Sequence, residues 1–243
     1  MNVVVCLHAA PATAEGRALG RDDTHALGHA LALAAVGASG GGASGGAAAG
    51  NGSMAVTALL AGTERETGPL HRALAAGATR AVRVGGDDFA AADFHTVGQV
   101  LAVAIRRLDA DLVLTGARSD DEGLGAVPAA TARYLGIGYV AGVEEIAWAG
   151  AGAVEVVVRG GGRKRRLRVK IPVVLSVVAG PSGGIAPPDR TGNPADVDLL
   201  SLADPEATVV RRRTELVGRE EPASRGVEEV TSAAALVAAL ARR

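Results

Sequence analysis

Short apolar runs that suit β-strands alternate with helix-like stretches through the first half of the chain. The strand candidates are rich in Val, Leu and Ala: Val3–Leu7, Ala55–Ala61, Arg80–Val84 and Leu112–Thr115. The helix candidates carry apolar residues on one face: His25–Ala35, 64–76, 94–108 and Val127–Leu135. Continuous apolar strands are typical of sheets covered on both sides. The alternation therefore predicts an α/β fold, a doubly wound and mostly parallel sheet with helices on both faces.

The alternation breaks after Gly138. Two strand-like runs, Val154–Arg159 and Arg165–Lys170, flank three consecutive glycines and predict a β-hairpin. A last apolar strand is expected at Val173–Val178. Together these elements predict one nucleotide-binding-type domain over residues 1–180.

Two further segments have their own composition. Residues 37–53 are almost purely Gly, Ala and Ser, which predicts a flexible surface loop within the domain. From residue 181 the chain is rich in Gly and Pro and then in mixed charge, which predicts an extended C-terminal arm over residues 181–243. The pattern at Ser232–Ala241 predicts a terminal helix on that arm.

The second strand of the expected hairpin is strongly basic. Lys164, Arg166, Arg168 and Lys170 share one face of this strand, because alternate residues point the same way. One interpretation is a half-buried strand with a solvated basic face, and the other is a docking patch for an acidic partner.

Composition narrows the classes of function. The formal net charge of −1 provides no general attraction to nucleic acid or to anionic membranes. The single cysteine, Cys6, excludes an internal disulfide framework and favours a reducing compartment. No run reaches the roughly 20 apolar residues of a membrane span, and the N-terminus lacks the pattern of a secretory signal. We therefore expect a cytoplasmic protein that is not membrane-embedded and does not bind nucleic acid.

The best candidate for a site is the loop that follows the Leu112 strand, over residues 115–128. Ligands of doubly wound sheets lie beyond the carboxyl ends of the strands, and a glycine-bearing loop can aim backbone N–H groups at a phosphate. Asp120, Asp121 and Glu122 would repel a phosphate, so we expect them to face solvent or ribose hydroxyls. The residues alone leave a nucleotide site and a structural loop equally open.

No catalytic constellation stands out in the sequence. His25 and His29 are four residues apart on the first predicted helix, but no third metal ligand is evident, and both are expected at the surface. Asp22, Asp23 and Thr24 precede that helix and are expected to cap it or to supply acidic first-turn residues. An independent hydrolase or kinase is not indicated, because the nucleophile-elbow and Walker-type motifs are lacking.

Several segments, in order along the chain, resemble electron-transfer flavoprotein beta subunits. Ala73–Arg80 is similar to the family's helix-to-strand turn "ALAMGADR", and Asp111–Gly116 matches its strand "DLVLTG". Lys170–Ser176 is similar to "KLPAVLTV", and Ser201–Asp204 resembles the late "TLAD". The resemblance implies a Rossmann-like, adenine-nucleotide alpha-hydrolase-like fold.

The resemblance also implies a role. Beta subunits pair with an alpha subunit that holds most contacts to FAD, and the heterodimer passes electrons from flavoprotein dehydrogenases to a quinone oxidoreductase. The beta subunit usually holds AMP. By position, the residues implied for the cofactor pocket are Cys6, Gly20, Arg21, Asp22, Asp23, Ala61, Gly116, Ala117, Arg118, Ser119, Asp121, Gly123, Leu124, Gly125, Ala126 and Val127.

Three of these residues depart from the family pattern. Asp22 replaces the usual aromatic residue, and Leu124 and Ala126 replace a polar pair. Each hydrogen bond lost in this way is worth on the order of 1 kcal/mol, so AMP is expected to bind weakly or not at all. Two alternatives to the electron carrier are a stand-alone nucleotide-binding module similar to universal stress proteins and a scaffold for the alpha subunit that binds no nucleotide.

Overall fold

A computed structural model describes residues 1–9, 19–38, 54–86, 89, 92–120, 123–150, 152–180 and 197–200. The strands are β1 (Asn2–Leu7), β2 (Ala55–Ala61), β3 (Arg80–Val84), β4 (Leu112–Gly116), β5 (Gly138–Trp148), β6 (Ala153–Gly160), β7 (Arg163–Lys170), β8 (Val173–Val177) and β9 (Val197–Leu200). The α-helices are α1 (Arg21–Ala38), α2 (Gly68–Ala76), α3 (Phe94–Arg107) and α4 (Val127–Leu135).

The nine strands form one sheet in the order β7-β6-β5-β8-β4-β1-β2-β3-β9. Seven neighbouring strands, from β5 to β9 in this order, run parallel, and β6 and β7 add an antiparallel hairpin at one end. The predicted α/β class and mostly parallel sheet are confirmed. The chain moves outward from β1 to β3 and then returns to the other side of β1 with β4, so the topological switch point lies between β1 and β4.

Two apolar cores lie on the two faces of the sheet. On one face, α1 and α2 contribute Leu27, Leu33 and Leu70 against alternate residues of the central strands. On the other face, α3 and α4 cover the remaining alternate residues with side chains that include Leu101 and Ile105. The central strands are buried on both sides, which is why they read as continuous apolar runs.

The first helix begins earlier and ends later than predicted. The Gly20 carbonyl accepts hydrogen bonds from both the backbone N–H and the hydroxyl of Thr24, so the first turn closes on Gly20. Asp22, Asp23 and Thr24 therefore lie inside the helix and do not precede it. The helix continues through Ala38, so residues 37 and 38 are helical and not part of a loop. Residues 39–53 lie outside the described residues.

The predicted helix over 64–76 is two elements. A short 3-10 helix, Glu64–Glu66, comes first, and α2 begins at Gly68 with Pro69 in its first turn. The Glu66 carboxylate accepts the Thr63 backbone N–H at 2.6 Å, which closes the 3-10 turn before α2 starts. The end of the helix is as predicted, because Gly77 caps it with φ of 111°.

Two strands were missed in the sequence. Strand β5 follows α4 directly and pairs with β8 in parallel, although Gly142 and the polar pair Glu144 and Glu145 hide its pattern. Strand β9 pairs in parallel with β3 and falls within the range predicted as the C-terminal arm.

The chain divides into two compact units, Met1–Arg213 and Thr214–Arg243. The second unit lies outside the described residues, and so does the predicted helix Ser232–Ala241.

The hairpin is found as β6 and β7, but β7 is not half-buried. Seven of its eight residues are exposed, including residues on both faces of the strand, and only Val169 is partly buried. The reason is its place in the sheet: β7 is the last strand on its side among the described strands, so nothing described covers either face fully.

Candidate functional site

The carboxyl ends of β1 and β4 form the switch point of the sheet, the place where ligands of doubly wound folds usually bind. Strand β1 ends at Leu7 and β4 ends at Gly116, and in register Cys6 lies beside Thr115. The N-terminus of α1 lies against this point, and the loop into α4 leaves from it.

Asp23 ties the two strand ends together. Its carboxylate accepts the backbone N–H of His8 at 2.8 Å and that of Gly116 at 3.0 Å. The side chain is only 5% exposed. Burial raises the pKa of Asp23 to about 7, and the two backbone hydrogen bonds oppose that rise because they favour the charged form. The carboxylate therefore occupies the position between the strands that an anionic ligand group would take.

Gly116 makes this arrangement possible. A Cβ atom at this position would lie 2.2 Å from Asp23 Oδ1 and 3.0 Å from the Asp23 backbone nitrogen. No side chain fits there, so the glycine admits the carboxylate.

Asp22 and Asp120 extend the set of carboxylates. Asp22 accepts the backbone N–H groups of Ala179 at 2.8 Å and of Arg118 at 3.2 Å. Asp120 accepts the Arg21 N–H at 3.1 Å. We call Asp22, Asp23 and Asp120 the carboxylate cluster. Between them these side chains accept five backbone N–H groups, four at or just beyond the ends of β1, β4 and β8 and one in the first turn of α1.

The carboxylate cluster does not fit the phosphate of a nucleotide. A phosphate at the switch point needs backbone N–H donors, and the four donors from the strand ends are already bonded to Asp22 and Asp23. Like charges would also be brought close together in a partly buried site. The expectation that Asp120 faces solvent or a ribose is therefore incomplete, because this residue also anchors the start of α1.

The loop into α4 has the backbone conformation that glycine favours. Gly123 and Gly125 have φ of 61° and 62°, and a Cβ at Gly125 would lie 2.8 Å from the Ala117 carbonyl oxygen. Ala126 precedes the helix, and Val127 begins it. Leu124 is 61% exposed, so it offers an apolar side chain at the surface where a polar one would bind a ligand. Ser119 is part of the described loop, whereas Asp121 lies outside the described residues.

A polar row runs beneath this loop, on the face covered by α3 and α4. Cys6, Thr115 and Ser176 are neighbours in register on β1, β4 and β8. The Thr115 hydroxyl is buried without a hydrogen-bond partner among the described residues. The Tyr139 hydroxyl lies 3.0 Å from Ser176 Oγ. Burial raises the pKa of the Cys6 thiol, with Asp23 adding to the rise, so this thiol is not poised as a nucleophile.

The structure thus brings most of the sequence-predicted residues to one edge of the sheet. Cys6, Gly20–Asp23 and Gly116–Arg118 meet at the switch point through the contacts above, and Ala61 ends β2 beside β1. Sequence reasoning missed His8, Ala179, Ser176 and Tyr139. The first two act through backbone N–H groups, which residue identity does not reveal, and the other two come together only through the strand order of the sheet.

The histidines of α1 differ from expectation. His25 is buried at 9% exposure and not at the surface, and burial lowers its pKa. His29 Nε2 lies 3.2 Å from the Glu144 carbonyl oxygen on β5, the strand that the sequence did not indicate. No group of three or more metal-ligating side chains occurs among the described residues. None of the described helices is long and apolar enough to cross a membrane.

Residues 12–205 match the family described as "Electron transfer flavoprotein domain". An "Electron transfer flavoprotein subunit beta" of Clostridium acetobutylicum is 30% identical over 161 residues, which cover 60% of this chain and 56% of that protein. The protein of the same name from Methylophilus methylotrophus is 29% identical over 51% of this chain and 48% of its own length.

A mycobacterial relative gives a shorter match. The "Electron transfer flavoprotein subunit beta" of Mycobacterium tuberculosis (strain ATCC 25618 / H37Rv) is 41% identical over 83 residues, or 34% of this chain. The chain thus spans 31% of the length of that relative, and about half of the clostridial and Methylophilus proteins. Because the family match extends over more than half of the chain, the chain belongs to the electron transfer flavoprotein domain family.

Proposed function

We propose that this chain is the beta subunit of a heterodimeric electron-transfer flavoprotein and that it carries electrons without independent catalysis. The observation that carries the proposal is the family match over residues 12–205. Similar proteins from several organisms bear the name subunit beta, which favours this subunit over the other. The doubly wound sheet supports the same assignment, because its switch point is the kind of edge at which nucleotide cofactors bind.

We place FAD mainly on the partner alpha subunit. FAD supplies the electron-accepting and electron-donating chemistry when it is bound. At the switch point of this chain, Asp22 and Asp23 take the backbone donors that the diphosphate of a dinucleotide would need. The part of this chain that we expect to contribute to the flavin site is therefore the loop into α4, residues 123–127. This loop lies at the sheet edge, and two of its glycines have positive φ.

The backbone contacts of Asp22 and Asp23 also determine how this chain is expected to bind AMP. The phosphate of AMP would have to displace a carboxylate of the cluster or bind only at the start of α4. The exposed Leu124 adds no hydrogen bond there, since its side chain is apolar. AMP binding by this chain is expected to be weak or absent.

The electron donor in this proposal is a flavoprotein dehydrogenase, and the acceptor is a quinone oxidoreductase at a membrane. Both partners, like a cytoplasmic location, are implied by the resemblance of the sequence motifs to those of beta subunits. The assembled heterodimer is the electron-carrying unit, and this chain acts within it.

Co-expression with a candidate alpha subunit tests the proposal. We expect a yellow complex that elutes as a heterodimer and releases about one FAD per complex on heating. The control is each chain expressed alone, and this chain alone should bind little or no flavin. A stable monomer that never associates with an alpha subunit would rule out the proposal.

The carboxylate cluster favours one alternative, a scaffold subunit that supports the alpha subunit and binds no nucleotide itself. Chromatography of the material released by heat from the purified complex separates the possibilities. FAD alone fits the scaffold, FAD with AMP fits a conventional beta subunit, and ATP in a homodimer without flavin fits the stand-alone module.

A further inference from the structure

The β6–β7 hairpin concentrates positive charge at one end of the sheet. Residues 153–170 contain seven Lys or Arg residues and one acid, Glu155, so the formal charge of the hairpin is +6. The whole chain has a formal charge of −1, so the remainder carries −7. Strand β7 alone has six cationic residues among eight. The charge is therefore unevenly distributed along the sequence, and the positive segment includes the outermost strand of the described sheet.

Acidic neighbours on β5 and β6 neutralise part of this charge. Lys164 lies 3.5 Å from Glu144 and 3.4 Å from Glu145. Arg166 pairs with Glu155, and Arg159 pairs with Glu144. All of these pairs lie on the face of the sheet that also carries Arg168.

The other face of β7 has cations without acidic partners. Arg163 and Arg165 are exposed and pair with no carboxylate in the described part of the chain. Leu167 continues the same face and is 38% exposed. We call Arg163, Arg165 and Leu167 the basic strip. Alternate residues of a strand lie roughly 7 Å apart along one face, so the strip presents two guanidinium groups and an apolar side chain in a line.

The residue types of the basic strip indicate which kind of partner it would bind. Lysines on an edge strand commonly serve only to prevent strand-to-strand aggregation. Arginine differs, because its planar guanidinium binds carboxylates in a bidentate manner and is enriched in protein interfaces. Nucleic acid is disfavoured, since the hairpin has no aromatic side chain for stacking on bases, and Glu155 of β6 and two glutamates of the neighbouring β5 lie beside its cations.

We propose that the basic strip is a docking surface for another protein that presents a row of Asp and Glu side chains. The complementary charge brings the partner to the edge of the sheet, and Leu167 supplies the apolar contact. The basic strip lies far along the sheet order from the β1–β4 switch point, and docking there does not require a flavin.

The test uses the full chain and a fluorescent peptide of alternating Glu and Val residues that is long enough to span β7. We expect binding by fluorescence anisotropy in low salt, at about 20 mM NaCl, and a loss of affinity of tenfold or more at about 200 mM. The double variant Arg163→Glu/Arg165→Glu should lose at least tenfold in affinity. The milder variant Arg163→Ala/Arg165→Ala should lose severalfold, and both should keep the thermal midpoint of the unmodified chain.

The matched control is Arg65→Glu/Arg133→Glu, which changes the net charge equally at two exposed positions elsewhere. It should change the affinity less than twofold. An equal loss in both double variants, or no binding in low salt, would overturn the proposal. So would tighter binding to a DNA duplex of the same charge, or a concentration-dependent dimer of this chain that both strip variants abolish.

Discussion

Gly116 and Asp23 depend on each other at the end of β4. Replacing Gly116 by Ala would place a Cβ 2.2 Å from the Asp23 carboxylate, which must then leave its two backbone donors. We expect the free energy of unfolding to fall by about 1–3 kcal/mol, as for other overpacked sites. Urea denaturation measures the loss. Gly86→Ala is the control, because no atom lies within 4 Å of its added Cβ, and an equal effect of the two variants would contradict the explanation.

Asp23 also makes stability depend on pH. Its pKa is raised from 3.8 to about 7 in the folded chain, so the folded state holds the proton more tightly than the unfolded state. The stabilisation from this group is fully present below about pH 3.8 and is lost as the pH rises through about 7. The histidines of α1 have the opposite effect. Burial lowers the pKa of both side chains, so their contribution to the stability of the folded state increases as the pH rises.

The Asp23→Asn variant separates these effects. An amide does not titrate, so the difference in unfolding free energy between the two proteins should change between about pH 5 and about pH 8. The unmodified chain should lose stability relative to Asp23→Asn over this range. Thermal denaturation at several pH values measures it. A difference that stays constant with pH would show that Asp23 is charged throughout the range.

At the scale of elements, the contact between α3 and α4 depends on Gly98. A Cβ at this position would lie 2.8 Å from the Ala130 Cβ and 3.1 Å from the Thr131 nitrogen. Gly98→Ala gains up to about 1 kcal/mol in helix propensity but costs about 1–3 kcal/mol in overpacking, so a net loss of stability is expected.

A double-mutant cycle checks that the helix contact is the cause. Adding Ala130→Gly to Gly98→Ala removes the shortest contact. The change in unfolding free energy caused by Ala130→Gly should therefore be more favourable in the Gly98→Ala variant than in the unmodified chain. Additive effects of the two substitutions on the urea midpoint would contradict a direct contact.

The elements differ in how well the sequence predicts them. The apolar stripe of α3 and the continuous runs of β1 and β4 are strong patterns, because both follow from burial in a sheet with two covered faces. Strand β5 has one fully buried residue, Val143, and exposed residues through its length, so no period marks it. The sequence pattern indicated the basic face of β7. The exposure of that face depends on the position of β7 in the sheet, which the residues of β7 do not reveal.

On the scale of the whole molecule, β9 joins a late part of the chain to the sheet. Leu200 packs into the core on the α3 face, whereas Leu199 is 62% exposed. Leu200→Ser should lower the free energy of unfolding by about 1–3 kcal/mol, and Leu199→Ser should change it by less than about 0.5 kcal/mol. Chemical denaturation of the two variants provides the comparison. Equal effects would contradict the register of β9 on β3.

The candidate loop follows the carboxyl end of β4, as the strand pattern predicts, but the contacts made there could not be predicted. The sequence points to the loop after β4 because doubly wound folds bind ligands there. The role of Asp23 could not be predicted, since it needs the backbone N–H groups of His8 and Gly116 to meet between parallel strands far apart in sequence. Asp22 stood out only as a departure from a family pattern, and the contact with Ala179 gives the physical reason for it.

Cys6 is the sole cysteine of the chain and lies in β1, between β2 and β4. A thiol-specific dye cannot reach this side chain while the middle of the sheet is closed, and its raised pKa leaves little reactive thiolate. The rate at which Cys6 is labelled therefore reports the opening of the central strands. A second cysteine at an exposed position such as Arg65 would be labelled first, so a spectroscopic probe can be attached without removing the native thiol.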